Sequence, residues 1–456
     1  MADTFAAIAT APGEAGIGIV RISGPEALRV FRAVYLECPE QVTPRHVYYG
    51  HAVRPDGSVI DEMVCFYTKA PHTYTGEDCV EFQAHGSDVS LRAILRSTLA
   101  AGARLADPGE FTKTAFLHGK MDLSQAEAVI ELIRAKSELP LSIASSQLGG
   151  HLRDEVRLLR DRLRDVLAEM AVNIDFPDED IEQIAFDAFG SSLRGILTET
   201  DELLATSDTG RMARSGIRVA IVGKPNVGKS SLMNALLGDD RAIVTDIPGT
   251  TRDTISEWSQ VEGIPLVLVD TAGIRETADT IEQIGIERSR SEMERADLIL
   301  FVLDRSVPLT DEDREIARTV RDSEKSVIII LNKEDLEGVV SPEEAQALVP
   351  EASVLELSMR DRRGGKEAAE AISNLFFEKK LESTHGSIII NERHRDALVR
   401  AVSSLRDSLS MLERAEALEL TELEVHAAYD ALGEITGDTA GEEILDTVFA
   451  KFCLGK

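Results

Sequence analysis

Apolar positions along this chain change their spacing twice. Up to about residue 118, short apolar runs alternate with Pro/Gly turn signals. Residues 4–10 and 18–22 read as strands about a Pro12-Gly13 turn, and 25–35 as a helix. Residues 46–53 and 58–69 read as strands joined through Pro55-Asp56-Gly57. Residues 87–101 set Leu91, Ile94, Leu95 and Leu99 on one helical face. Short strands and helices in this order predict an α+β domain over residues 1–118.

From Ser124 the spacing turns helical. Ser124-Gln125-Ala126-Glu127 has the form of a capping box, and Ala126, Val129, Ile130 and Ile133 follow at helical intervals. Residues 144–173 read as one long helix through Leu148, Leu152, Val156, Leu159, Leu163 and Met170. The acidic run Asp175 to Asp180 interrupts it and, lacking the spacing of a calcium loop, reads as a solvated linker. A helix covers 189–205, and the polar stretch 206–216 reads as a linker. Residues 365–381, 393–416 and 418–432 are helical again. The economical reading is a multidomain α/β plus α chain. A discontinuous helical domain (residues 119–213 and 381–456) carries an inserted nucleotide domain over residues 214–380.

That inserted segment holds the clearest chemistry. Residues 217–222 read as a buried strand and Ser231 onward as a helix start. Between them stands Gly223-Lys224-Pro225-Asn226-Val227-Gly228-Lys229-Ser230, which has the P-loop form. Backbone N–H groups of such a turn wrap a phosphate at a helix N-terminus. Lys229 then reaches the β- and γ-phosphates, and Ser230 holds Mg²⁺.

Three further stretches follow in the order a GTPase requires. Gly249-Thr250-Thr251-Arg252-Asp253 supplies a threonine as second Mg²⁺ ligand. Asp270-Thr271-Ala272-Gly273 ends an apolar run, with Asp270 contacting Mg²⁺ through water and Gly273 near the γ-phosphate. Asn332-Lys333-Glu334-Asp335 ends another. There Asp335 accepts from the N1 and N2 donors of guanine while Asn332 supports the loop. Adenine would leave that acceptor unpaired, so the pattern predicts GTP and not ATP.

The residue after this DTAG is Ile274, which cannot orient an attacking water as a glutamine does. Nearby polar candidates are Arg252, Asp253, Arg275 and Glu282. The Glu282 carboxylate can hold and polarise water, and it equally suits an exposed helix start. Asn226, with loop carbonyls from Thr245, Ile247 and Thr250, can make a monovalent-cation site beside the phosphates; spacing alone leaves this open. Tyr74 to Asp78 with Glu81 to Gly86, and Pro108 to Lys113 with Leu117 to Asp122, read as turns. They suit either ordinary surface loops or a small-ligand site.

Composition narrows the partners. The 456 residues have a soft prior of about three domains. Hydrophobic content of 43% with no apolar run long enough for a membrane span describes a soluble chain. No basic region precedes an apolar stretch at the start, so no signal peptide is expected. Cys38, Cys65, Cys79 and Cys453 show neither CxxC spacing nor a disulfide framework, which points to a reducing cytosol. Asp+Glu outnumber Lys+Arg by 80 to 49, a net charge of −31, which argues against non-specific nucleic-acid binding.

The motif order resembles the tRNA modification GTPases of the MnmE (TrmE) family over nearly the whole chain. The matching stretches are IATAPGEAGIGIVRISG, TGEDCVEFQAHG, PGEFTKTAFLHGKMDLSQAEAV, GKPNVGKSS, DIPGTTRD, DTAGIRET, NKED and the closing Phe452-Cys453-Leu454-Gly455-Lys456. The resemblance implies a cytoplasmic homodimer joined through its N-terminal domains, with no membrane association. It implies K⁺-stimulated GTP hydrolysis and a heterotetramer with the flavoprotein MnmG; the complex adds aminomethyl or carboxymethylaminomethyl groups at C5 of the tRNA wobble uridine. It also implies a tetrahydrofolate derivative, in 5-formyl or methylene form, bound through Arg21, Glu81, Lys120 and Lys456.

GTP contacts would then include Ser231, Asp246, Pro248, Ser358, Met359 and Arg360 beside the motif residues above, Val227, Gly228, Gly249, Thr271, Ala272 and Lys333 among them. K⁺ would take Asn226, Thr245, Ile247 and Thr250, Mg²⁺ would take Ser230 and Thr251, and the catalytic carboxylate would be Glu282. Cys453 has the family position associated with modification. Ser358-Met359-Arg360 departs from the usual Ser-Ala-Lys, with little expected effect where backbone amides do the binding. A ribosome-assembly GTPase switch shares the P-loop and DTAG, but needs neither a folate-binding domain nor this C-terminus. A scaffold with a decayed nucleotide site is opposed by the intact Lys229, Ser230, Thr251 and Asp270.

Overall fold

A computed structural model describes residues 3–175, 182–237, 256–261, 263–270, 292–360, 362–378 and 387–456. These form two compact units. One comprises Met1–Ile130, Gln147–Ser192 and Ser403–Lys456, and the other Glu131–Ser146 and Leu193–Val402.

The first unit holds a six-stranded sheet in the order β3-β4-β5-β2-β1-β6. Its strands are β1 (Phe5–Ile8), β2 (Ala15–Ser23), β3 (Val47–Val53), β4 (Val59–Thr68), β5 (Cys79–Gly86) and β6 (Arg104–Leu105). The β3–β4 hairpin forms because Asp56 accepts from the Ser58 amide at 2.9 Å while Gly57 takes φ +84°. Val80, Phe82 and Ala84 of β5 point into one core with Val20, Ile22, Phe31 and Ile94, and Glu81, Gln83 and His85 alternate to the other face. Cys79–Gly86 is therefore a central strand, where the sequence pattern read a polar turn. Pairing on both sides forces the extended backbone, and the polar residues simply occupy its second face.

The helical parts depart from expectation at three points. The box that starts helix Leu123–Arg134 is Asp122/Gln125, not Ser124/Glu127. The Gln125 amide donates to Asp122 Oδ1 at 3.0 Å, and the Asp122 amide donates to Gln125 Oε1 at 3.1 Å. The long periodic stretch is two helices, Glu138–Leu148 and His151–Asp175, because Gly150 turns the chain at φ +95°. Residues read as a linker form helix Ser207–Ser215, closed by Gly216 at φ +80°. In the first unit, Arg160 of His151–Asp175 donates to the Tyr429 carbonyl of helix Leu418–Thr436 at 3.3 Å and pairs with Asp438.

The second unit holds a sheet in the order β12-β11-β10-β7-β9-β8. The strands are β7 (Ile217–Val222), β8 (Ser256–Val261), β9 (Ile264–Asp270), β10 (Leu298–Asp304), β11 (Ser326–Asn332) and β12 (Ser353–Leu357). All neighbours are parallel except β8 with β9. Residues 298–303 of β10 are buried without a break, as a parallel strand covered on both faces requires. Helices Lys229–Leu237 and Arg362–Ser373 cover one face, and helix Asp311–Asp322 the other. Parallel register brings the loops after β7, β9, β11 and β12 to one edge, where doubly wound sheets bind ligands. The first unit thus carries an α+β sheet with helices, and the second a doubly wound, mostly parallel sheet with helices on both faces.

Candidate functional site

The nucleotide edge is built by loops leaving buried strands. After β7 the chain turns through Gly223 (φ +147°), Asn226 (φ +64°) and Gly228 (φ +106°) into helix Lys229–Leu237. Gly223 admits no side chain, because a Cβ there would strike the Val302 carbonyl oxygen. Lys229 Nζ donates to the Gly223 carbonyl at 2.6 Å and the Lys224 carbonyl at 2.8 Å, so its ammonium lies across the inside of the turn. The Ser230 hydroxyl is exposed at the helix N-terminus, an oxygen donor of the kind Mg²⁺ takes.

Asn332 ends β11 and is 3% exposed. Its Nδ2 donates to the Val227 carbonyl at 2.7 Å, and its Oδ1 accepts from the Met359 amide at 3.3 Å. One amide side chain thereby ties the P-loop to the loop after β12. Lys333, at φ +69°, donates to Asp304 at 2.5 Å. Asp335 accepts from the Ser358 hydroxyl through Oδ1 at 2.7 Å and from Arg360 Nη1 through Oδ2 at 2.8 Å. The Ser358 hydrogen bond holds the Asp335 carboxyl below its ordinary range, burial opposes it, and the Arg360 charge adds to the lowering. The Arg360 contact was not legible in sequence: the departure at 358–360 was noted, but a side-chain bridge across 25 positions leaves no spacing signal.

Asn226, Val227, Gly228, Lys229, Ser230, Ser231, Asn332, Lys333, Asp335, Ser358, Met359 and Arg360 thus share one edge of the second unit. Asp270 ends β9 in register with Ile221. Thr245, Asp246, Ile247, Pro248, Gly249, Thr250, Thr251, Arg252, Asp253, Thr271, Ala272, Gly273, Arg275 and Glu282 lie outside the described residues.

A second cluster lies in the first unit, on the sheet face away from its main core. Arg21 of β2 stands opposite Glu81 of β5 in register, and their side chains pair at 2.8 Å. The guanidinium sits 5.7 Å from the Phe111 ring and donates to the Gly455 carbonyl at 3.3 Å. Lys456 lies within electrostatic reach of both charges. Its pKa is lowered by burial first and by Arg21 second, with Glu81 working the other way. Phe449 and Phe452 anchor this end of the chain against Phe116, Leu123 and Ala126. Arg21, Glu81 and Lys456 are brought together. Lys120 is bound elsewhere, its Nζ donating to the Pro71 carbonyl at 2.9 Å. Cys453 is an exposed free thiol.

Comparison with known proteins covers both units. The family model described as "GTP-binding protein TrmE N-terminus" matches residues 4–120, and that described as "MnmE helical domain" matches residues 123–453. A protein of Alkaliphilus metalliredigens (strain QYMF) named tRNA modification GTPase MnmE is 45% identical, over 100% of this chain and 99% of its own. Proteins of the same name from Clostridioides difficile (strain 630) and Thermoanaerobacter pseudethanolicus (strain ATCC 33223 / 39E) are 43% and 44% identical, each over 100% of this chain and 99% of the other. Matches of this extent, joined to a P-loop on a parallel sheet, make the chain a member of the MnmE/TrmE family, GTP-hydrolysing enzymes of tRNA modification.

Proposed function

We propose that this enzyme hydrolyses GTP in a K⁺-stimulated reaction and, with the flavoprotein MnmG, adds (carboxymethyl)aminomethyl groups at C5 of the tRNA wobble uridine. It works in the cytoplasm as a homodimer joined through the N-terminal domains. The observation that carries this reading is the Arg21–Glu81–Lys456 cluster, since a plain GTPase switch needs no second charged site. Two cations on a sheet face suit the glutamate carboxylates of a tetrahydrofolate derivative, which supplies a one-carbon unit when bound. Arg21 gives Nε to Glu81 and Nη1 to the Gly455 carbonyl, so Nη2 is the part of its fork that faces such a carboxylate in this reading. Lys120 would have to leave the Pro71 carbonyl to join them.

In the nucleotide site, Lys229 neutralises phosphate charge and the P-loop amides cradle it. Ser230 and Thr251 hold Mg²⁺, which balances charge on the phosphates. Asp335 selects guanine by accepting from its ring N1–H and its exocyclic N2 amino group. Asn226, with Thr245, Ile247 and Thr250, binds K⁺. Glu282 is the carboxylate that holds the attacking water, with Arg252, Asp253 and Arg275 as the further polar candidates for the reaction.

The test is GTP hydrolysis by the purified protein in K⁺ and in Na⁺ at matched ionic strength. We expect faster turnover in K⁺, and no difference between the salts in Asn226→Ala. Equal rates in the unaltered protein would remove the cation site from the mechanism.

Arg360 gives a smaller prediction. Its side chain is 79% exposed, so its bridge to Asp335 is a screened surface pair. Arg360→Ala should change guanine-nucleotide association by no more than about fivefold. Stopped-flow binding of a fluorescent GDP measures it, and a larger change would mean that Arg360 itself contacts the base.

A further inference from the structure

The second residue of the P-loop has a partner that the nucleotide-binding pattern does not account for. Lys224 Nζ donates to Asp313 Oδ2 at 2.8 Å. Asp313 is 1% exposed and belongs to helix Asp311–Asp322, 89 positions along the chain. The same Oδ2 accepts from the Thr310 amide at 2.8 Å and the Thr310 hydroxyl at 2.7 Å, closing the capping box that starts the helix. The other oxygen, Oδ1, is buried with no hydrogen-bond partner among the described residues. Burial opposes the charge on Asp313, but the hydrogen bonds from Lys224 and Thr310 hold its carboxyl below the usual range. The carboxylate is therefore ionised and fixed by its helix, and Lys224 is the cation that answers it.

The Lys224 carbonyl, with that of Gly223, is an oxygen on which Lys229 Nζ rests. Asn332 fixes the same loop at its other end, through the Val227 carbonyl. The phosphate-binding turn is thus gripped at entry by Asp313 and at exit by Asn332.

We propose that Lys224 and Asp313 form a latch that sets the P-loop backbone, and through it the Lys229 ammonium, before the nucleotide arrives. Both are positioning residues. The proposal rests on the reading of Lys229 as the phosphate-binding lysine. Without the latch the entry half of the turn must be ordered at the cost of GTP binding. Chemistry follows once GTP is seated, so the effect falls on KM more than on kcat.

Steady-state GTP hydrolysis and GDP dissociation by the full-length chain test this. Lys224→Met should raise KM about tenfold, the worth of one hydrogen bond between charged groups, with kcat changed much less. Lys224→Arg should restore most of the loss. Asp313→Asn keeps an acceptor for Thr310 and removes the charge, so it should raise KM in the same direction by a smaller factor. Thermal melting of each variant separates a loss of fold from a loss of binding, and Lys224→Met leaves the capping box intact if Asp313→Asn proves unstable.

Two results would overturn the latch. One is an unchanged KM in Lys224→Met. The other is tighter GDP binding in Asp313→Asn, which would mean that Lys224, once released, acts directly on phosphate. Lys229→Ala serves as reference. If it binds GTP normally, the reading of the P-loop itself has failed; if it loses GTP while Lys224→Met does not, only the latch has failed.

Discussion

Replacing Gly228 by alanine should lower kcat/KM for GTP by about 100-fold, two factors of ten at about 1.4 kcal/mol each. Gly228 sits at φ +106°, a conformation that costs a residue with a Cβ roughly 1–3 kcal/mol. The added Cβ also falls on Asn332 Nδ2. Asn332 cannot step aside freely, because Nδ2 holds the Val227 carbonyl at 2.7 Å and Oδ1 holds the Met359 amide at 3.3 Å. Moving either the glycine or the asparagine shifts the backbone amides that face the phosphates. The cost therefore appears in nucleotide binding, while the apolar core beneath, Ile221, Leu268, Leu300 and Ile330, is untouched. A melting temperature within a few degrees of the parent, with hydrolysis lost, is the expected pair of readings. Near-parental hydrolysis would mean that the turn opens without penalty and that Asn332 does not brace it.

The nucleotide edge was legible because its parts are local. Strand, glycine turn and helix start follow one another within residues 217–237, and β11 delivers Asn332 straight from an apolar run. The N-terminal sheet was half legible. β5 carries the alternation of a strand, with Val80, Phe82 and Ala84 inward, but Glu81, Gln83 and His85 between them imitate a polar turn. The capping box was read two positions late because Asp122 and Ser124 are both good caps, and packing chose between them. Gly149-Gly150 was absorbed into a helix because the apolar period continues across it, although Gly150 takes φ +95°.

Contacts between distant residues left no trace at all. Lys224 with Asp313 and Arg360 with Asp335 are each an ordinary charged pair in the sequence, and only the fold brings them together. The Arg21–Glu81–Lys456 cluster draws on three separate stretches, so its members came from the family resemblance and not from spacing.

That cluster gives the second large effect. Gly455→Val should weaken binding of 5-formyltetrahydrofolate by about 100-fold, the loss of two charge-assisted contacts at about 1.5 kcal/mol each. Gly455 stands at φ +91°, and a Cβ there would lie 2.5 Å from the Ile8 carbonyl oxygen and 2.7 Å from the Ala9 Cα. Both obstacles are backbone at the end of β1, held by β2: Ile8 pairs with Val20, and the Ala9 amide donates to the Ile19 carbonyl at 2.8 Å. The segment bearing Gly455 must therefore leave its seat, taking Lys456 from the site and the Gly455 carbonyl from Arg21. Arg21 keeps Glu81 at 2.8 Å and Phe111 beneath it, so the sheet itself should stand, and the melting temperature should confirm this. Lys456→Gln keeps the backbone in place and removes only the charge, so about tenfold weakening is expected, one contact in place of two. Isothermal titration orders the three proteins. An unchanged affinity in Gly455→Val, in a variant that melts like its parent, would detach the end of the chain from the folate site and leave Arg21 and Glu81 to bind alone.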